Sequence, residues 1–325
     1  MLNIISREEY DTSTTVITTK CKQQLNALAI SKLIPVFNIR NKQGGRVTLT
    51  KKREKVKYYG ENGRIVSCTG RHCCRGVRTK AMQNMISIDF QFCDKNIHFK
   101  LSDRNINCVG GKELDDTHIL ELIKVINTLQ ENLNYIYTLD KKVLEKAKDE
   151  VLRKCSGNLP LFVDDDHFDI DDDVLRKVLA QYVGDYDDFS VLEKLLEYII
   201  QEKPKLFDGD VLTTEKYNIS NVVYSLNILK KGEKELELPL DKIALKLDEY
   251  GFHVQYHNWH QVPIVVFFRV MDDDSANFHR FEINLSGTVR QFSPTLKEEA
   301  YRFYQGLMKT IQKIIEENNY SLEMP

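Results

Sequence analysis

Two distant segments of this chain share one layout. From Leu101 the sequence reads LSDRNINCVGGKELDD, and from Leu285 it reads LSGTVRQFSPTLKEEA. Each is a β-like run, a polar turn, a second β-like run, a small-residue break and the acidic start of a helix. Setting Ile106 over Val289, an offset of 183 residues, places Gly110 on Ser293 and Asp115 on Glu298 without a gap. Self-similarity at a fixed offset restricts the fold to architectures that use one unit twice.

The flanking patterns extend the unit. Asn218–Leu229 is rich in Val, Ile and Tyr, as a strand requires. Leu240–Tyr250 places apolar residues at 240, 243, 244 and 247, the helical spacing. Four strand-like runs follow: FHVQYHNW, PIVVFFRV, FHRFEINL and TVRQF. Thr295 then opens a helix in a capping-box pattern with Glu298. The first third repeats this order. DTSTTVITTKCK is a strand, QLNALAISKLI a short helix, and ISIDFQF, NIHFKL and NINCV are later strands. Asp115–Leu133 is a helix striped by Ile119, Leu122, Ile123, Ile126, Leu129 and Leu133. The expected class is α+β: an internally duplicated unit with a curved antiparallel sheet, helices on its convex face, and a helical insertion. The expected division is 1–133 for a first copy with a basic extension, 134–216 for the insertion and 217–325 for the second copy. KKVLEKAKDEVLRK, DVLRKVLAQY and SVLEKLLEYII supply the helices of the insertion, packed on the copies or forming a small domain.

Charge is distributed unevenly. Residues 1–133 hold 22 Lys/Arg against 13 Asp/Glu, whereas 134–216 hold 12 against 20. Residues 40–80 alone carry 13 basic and 2 acidic side chains, enough to attract phosphate locally. Lys51, Lys52, Arg53, Lys55 and Lys57, with Arg64, Arg71, Arg75, Arg78 and Lys80 behind them, suit salt-dependent backbone contact. They equally suit a solvated hairpin, or a patch that docks the acidic insertion. Asp164–Asp173 (DDDHFDIDDD) lacks the central glycine and terminal glutamate of an EF-hand loop. It reads as a flexible acidic loop, a lid over the basic surface or a partner-binding segment.

Several chemistries find no pattern. Cys68, His72, Cys73, Cys74 and Cys93 do not make the paired Cys-x2-Cys spacing of zinc sites. His253 and His257 lie ~13 Å apart at strand rise, too far to share one ion. No phosphate-cradling glycine loop, nucleophile elbow or zincin helix is present. Neither metal nor cofactor is expected, and no enzymatic activity. No apolar run reaches the ~18 residues of a membrane span. The N-terminus lacks the basic and apolar regions of a signal peptide, and seven scattered cysteines fit a reduced compartment.

A hairpin followed by a long helix, in a duplicated strand–helix–four-strand–helix unit, resembles the TATA-box-binding protein family, in its divergent form from large nucleocytoplasmic DNA viruses. Asp103–Lys112 and Ser286–Phe292 look like the two copies of the family's hairpin. Ile219-Ser220-Asn221-Val222-Val223 is similar to the segment opening the family's second repeat, and Met82–Ile88 to a third-strand pattern of the viral forms. The resemblance covers 10–133 and 217–317.

It implies a saddle-shaped sheet entering the DNA minor groove. The central Asn falls on Asn221 beside Val223, and its first-copy partner near Asp11. Wedge positions fall on Met82 and Leu101, on Asn284, and around His260–Val262. The hairpin pair becomes Asn107 and Val109 in one copy, Arg290 and Phe292 in the other, and a third-strand Arg is kept as Arg269. The implied function is a transcription-initiation-type DNA-binding factor with weakened or altered minor-groove specificity. The alternative is a non-enzymatic scaffold on the same fold with little DNA affinity. Implied partners are DNA and general transcription factors or RNA polymerase subunits, with the chain a monomer or part of a hetero-complex. Implied locations are the viral factory in host cytoplasm, the nucleus, or the virion.

Overall fold

The computed structural model describes residues 2–36, 46–50, 53–57, 64–70, 73–76, 85–92, 95–111, 114–156, 168–182, 189–229, 237–256, 263–269, 278–294, 297–320 and 322. For 46–50, 53–57, 64, 66, 73, 74, 76, 92, 95, 96, 156, 268 and 269 only the backbone is described. In chain order the elements are β1 (Thr12–Lys20), α1 (Ala27–Leu33), β2 (Arg46–Thr50), β3 (Arg53–Lys57), β4 (Arg64–Gly70), β5 (Cys73–Gly76), β6 (Ile86–Phe92), β7 (Lys95–Ser102), β8 (Asn105–Gly110) and α2 (Asp116–Ile136). Then come α3 (Lys141–Ser156), α4 (Asp173–Ala180), α5 (Phe189–Glu197) and a π-helical turn, Tyr198–Glu202. Last are β9 (Asn218–Asn227), α6 (Leu240–Glu249), β10 (His253–Gln255), β11 (Ile264–Arg269), β12 (Phe278–Ile283), β13 (Thr288–Ser293) and α7 (Lys297–Glu317).

The duplication is visible in this order. Strand, helix, four strands and helix run from β9 to α7, and from β1 to α2 with the β2–β3 hairpin and strand β5 added. β8 and β13 coincide residue for residue under the offset of 183. The chain divides into two compact units: Met1–Ile17, Gly110–Leu114 and Asn218–Pro325 form the second-copy unit, and Thr18–Val109 with Asp115–Tyr217 the first-copy unit. Both are α+β, and neither sheet closes into a barrel.

In the second-copy unit the strand order is β10-β11-β12-β13-β9-β1, the last contributing Thr12–Ile17. β10 to β13 and β9 pair antiparallel. Alternation selects the faces. Val222, Tyr224 and Leu226 of β9, Ile264 and Val266 of β11, Phe281 and Ile283 of β12 and Val289 of β13 are buried. They share one core with Ile243 and Leu247 of α6 and Tyr304, Leu307, Met308 and Ile311 of α7. Each such side chain contributes about 1.5–3 kcal/mol by leaving water.

Residues from the far end of the sequence complete that core. Leu2 and Tyr10 belong to it. Tyr10 stacks on Tyr224 at 4.3 Å between ring centroids, and its hydroxyl donates to Gln291 Oε1 at 2.5 Å. Gln291 Nε2 in turn donates to Ala300 O at 2.9 Å. Ile5 N donates to the Tyr304 hydroxyl, and the Tyr301 hydroxyl donates to Ile5 O. Burial and the neighbouring Tyr224 and Tyr304 raise the Tyr10 phenol far above its ordinary pKa, so it stays a neutral donor.

In the first-copy unit the order is β1-β8-β7-β6-β4-β5, with β1 contributing Thr18–Lys20. Asn26 caps α1 by accepting from Ala29 N at 3.1 Å, and Asp115 caps α2 in a capping box closed by His118. Helices α3, α4 and α5 lie in this unit, with α4 packed on α2 and α3 on both α4 and α5. Side chains of α2 hold the returning segment. Asn127 brackets Leu212, donating to its O and accepting from its N, and Gln130 Oε1 accepts from Leu206 N at 2.6 Å. The Tyr182 hydroxyl donates to Leu33 O at 2.8 Å. Part of the acidic run serves this packing: Asp172 caps α4 through Leu175 N and accepts from the Tyr135 hydroxyl.

Two stability predictions follow from the second-copy core. Tyr10→Phe removes the hydroxyl and orphans Gln291 Oε1, costing about 1–3 kcal/mol in urea denaturation; Tyr10→Ala costs about 3–5 kcal/mol. An unchanged Tyr10→Ala midpoint would show the N-terminal segment to be dispensable. The second concerns His279, which is fully buried and stacked on Phe303 at 4.0 Å, with neither ring nitrogen bonded among the described residues. Burial lowers its pKa from 6.5 to about 4. The unfolded chain therefore binds a proton that the folded chain refuses. Stability is full above the unfolded value and is lost as pH falls from 6.5 towards 4, by roughly 3 kcal/mol. His279→Leu should lose that much less than the native chain over the same pH interval.

Candidate nucleic-acid interface

On each sheet, the face opposite the core is where a polyanion could lie. In the second-copy unit the register fixes its composition. Paired residues share a face, so His253, Phe267, Arg280, Phe292 and Val223 form one row across β10, β11, β12, β13 and β9. Gln255, Val265, Glu282, Arg290 and Ser225 form the next. Asn221 precedes Val223 on the same side of β9, and both are half-buried. Thr14 and Val16 are the less buried members of the β1 alternation. The Ser13 hydroxyl donates to Val223 O and the Ser220 hydroxyl to Val16 O, tying β1 to β9.

Asn221, Val223, Arg290 and Phe292 are thus brought together on one face. Arg290 is exposed and Phe292 half-buried. Arg269 stands opposite Phe278 in the β11–β12 register, with its side chain outside the described residues. Sequence reasoning passed over the rest of this face. Arg280 is ion-paired to Glu282, and its guanidinium lies 5.2 Å from the Phe292 ring centre. Phe267 has His253 at 5.4 Å and Phe278 edge-on at 6.4 Å. The alternating FHRFEI was the available signal; which rings meet depends on cross-strand register, which one strand's sequence does not contain.

In the first-copy unit Asn107 and Val109 lie half-buried on the corresponding face of β8, opposite Lys100 and His98 of β7. Leu101 requires a correction. It is fully buried opposite Ile86 and Ile106, on the core side, and cannot wedge into a base step. Its alternation with Ile97 and Phe99 places it there. Arg75 requires another: it is buried and donates to Ile34 O at 2.5 Å, so it serves the fold and not phosphate contact. Arg53, Lys55 and Lys57 occupy alternate positions of β3, paired with Thr50, Thr48 and Arg46; their side chains lie outside the described residues. So do Lys51, Lys52, Met82, Trp259 and His260–Val262. Asn284 stands in the β12–β13 turn, bonded to Thr288 O.

Also on this face, His98 Nδ1 is 2.9 Å from Asp89 Oδ1 and His98 Nε2 is 3.0 Å from Ser87 Oγ. Donation from Nδ1–H to Asp89 leaves Nε2 to accept from the serine. The connectivity is that of a nucleophile relay, but Ser87 has no exposed surface for a substrate to approach. Ser67, Thr69 and Gln91 are buried on the same face. The relay satisfies polar groups in a covered region of sheet. Among the described residues no three His, Cys, Asp or Glu side chains cluster as a metal site, and no helix is long and apolar enough to cross a membrane.

No protein-family model and no curated protein matches the chain. Among solved structures it is similar to the Methanococcus jannaschii TBP, at 11% identity and a TM-score of 0.35, covering 94% of this chain and 99% of that one. At that score the likeness adds no weight of its own. The repeated element order and the strand register stand independently of it.

The turn at Gly287 sets which residues of β13 face outward. Gly287 has φ +73°, and a Cβ there would meet Leu229 Cγ at 2.4 Å. Gly287→Ala should lower stability by about 2 kcal/mol or more, since both the dihedral and the space forbid a side chain. Ser286→Ala, in the same turn, should change it by less than ~0.5 kcal/mol. Thermal melts of the two variants provide the check, and equal melts would remove this role for the glycine.

Proposed function

We propose that this chain is a DNA-binding factor of transcription-initiation type, of the kind its sequence resemblance implies, with minor-groove specificity shifted away from strict A·T reading. The supporting observation is the open face around β9. Asn221 supplies an amide donor suited to the minor-groove acceptors of A·T pairs, and Val223, with Thr14 and Val16, offers small side chains that permit close approach. Exposed Arg290 lies on the same face as a phosphate contact. The basic residues of 40–80 add sequence-independent attraction. The chain acts as a binding protein and not as a catalyst. It works as a monomer or within a complex of general transcription factors or polymerase subunits, in a viral factory, the nucleus or the virion.

One observation favours the scaffold reading. On the face of β4 and β6 opposite the core, Ser67, Thr69, Ser87 and Gln91 are already buried, and Leu101 points into the core. A duplex then gains less from the first copy than from the second. Mobility shifts of A·T-rich and G·C-rich duplexes at two salt concentrations separate the readings. The DNA reading expects retardation at low salt, log K falling by about 0.9 per phosphate contact for each tenfold rise in salt. Asn221→Ala should narrow the A·T preference by about 1–3 kcal/mol, and Arg290→Ala should weaken both duplexes alike. Absence of binding at low salt would sink the DNA reading and leave the scaffold.

A further inference from the structure

We infer that the outer half of the second-copy open face, over β10 to β13, is a stacking platform for unpaired bases of a single-stranded nucleic acid. The inference goes beyond duplex binding and does not need it. Three phenylalanines, Phe267, Phe278 and Phe292, stand on the side of the sheet facing away from the core, and Phe278 is 46% exposed. Rings left clustered on an outward face mark a surface that something else covers.

Their arrangement selects the occupant. Phe267, flanked by His253 and the edge of Phe278, is one plane. The Arg280 guanidinium, held by Glu282 and lying over Phe292, is a second. β11 and β13 are two strand spacings apart, roughly 10 Å, so separated bases could engage each. Bases stack on aromatic rings and on guanidinium planes, at about 1–3 kcal/mol per base and with little sequence preference. A paired base presents only its edge in a groove, so these planes suit a strand whose bases are free. Among the described side chains on this face, Arg280 and Arg290 outnumber the single anion Glu282, which complements a phosphate backbone. Arg290 is common to both surfaces, but Asn221 and Val223 lie on β9 and Phe267 and Phe278 on β11 and β12, so substitutions at those positions separate duplex from single-strand binding.

The test uses the full chain and a short fluorescein-labelled oligothymidine, read by anisotropy at low salt. The native chain should bind, and Phe267→Ala and Phe278→Ala should each weaken binding by roughly 5- to 100-fold. Phe278→Trp should retain affinity and report directly: oligothymidine should quench the added indole emission, which a merely structural ring would not show. Phe278 is half-exposed, so its alanine variant should melt with the native chain, and its duplex shift should be unchanged. Failure of the native chain to bind oligothymidine, or equal binding by the alanine variants, overturns the inference. Oligothymidine binding without duplex binding would support it while refuting the duplex reading. Duplex binding without oligothymidine binding would do the reverse.

Discussion

The hydrogen bond from Tyr10 to Gln291 is the constraint on which the second-copy unit depends. A glutamine on the core face of β13 is costly unless both ends of its amide are satisfied. Ala300 O accepts from the amide NH2 and the Tyr10 hydroxyl donates to the amide oxygen, which fixes the start of the chain against α7 and β13. Two residues later β1 begins. The anchoring of Tyr10 therefore sets where β1 starts, and with it which β1 residues face outward beside β9. A one-residue slip would carry Ile17 to the open face and Val16 into the core.

Much of this was legible without coordinates. The duplicated order and the boundaries of β8 and β13 follow from one offset, because the hairpin and the strand alternation are local signals. The helix stripes of α2 and α7 are local too. What stayed hidden was lateral. Likeness to a family position turns Leu101 outward, while its own alternation with Ile97 and Phe99 turns it inward. Arg75 is indistinguishable by charge from its basic neighbours, and charge alone carries no information on burial. The His98 relay and the Phe267–Phe278 contact join residues of different strands, and only register brings them together. Tyr10 and Gln291 are 281 positions apart, beyond any window of periodicity.

The two open faces have diverged in kind. On the first copy, polar side chains of β4 and β6 are buried on this face, and Ser87 and Asp89 of β6 are both within hydrogen-bond distance of His98 of β7. A covered polar surface demands internal partners, and His98 supplies one to each of Ser87 and Asp89. On the second copy the same geometric face carries rings and arginines with substantial exposure. Desolvation by a ligand there removes apolar surface from water instead of breaking bonds already made. The energetic room for binding thus lies mainly with the second copy.

The offset between the copies shows why divergence took this form. Ile106 matches Val289 and Cys108 matches Gln291 on the core face; Asn107 matches Arg290 and Val109 matches Phe292 on the open face. A core position must keep volume and partners within the packing around it. Ile to Val respects that, while Cys to Gln does not, and the exception has a local cause. Gln291 is tolerable only where Tyr10 arrives to satisfy it, and the N-terminal segment lies in the second-copy unit. The buried Cys108 needs no such partner. The open positions carry no comparable restriction, so amide to guanidinium and valine to phenylalanine cost the fold little. Arg290 and Phe292 are thus free to differ from their first-copy counterparts while Val289 and Gln291 hold the strand in place.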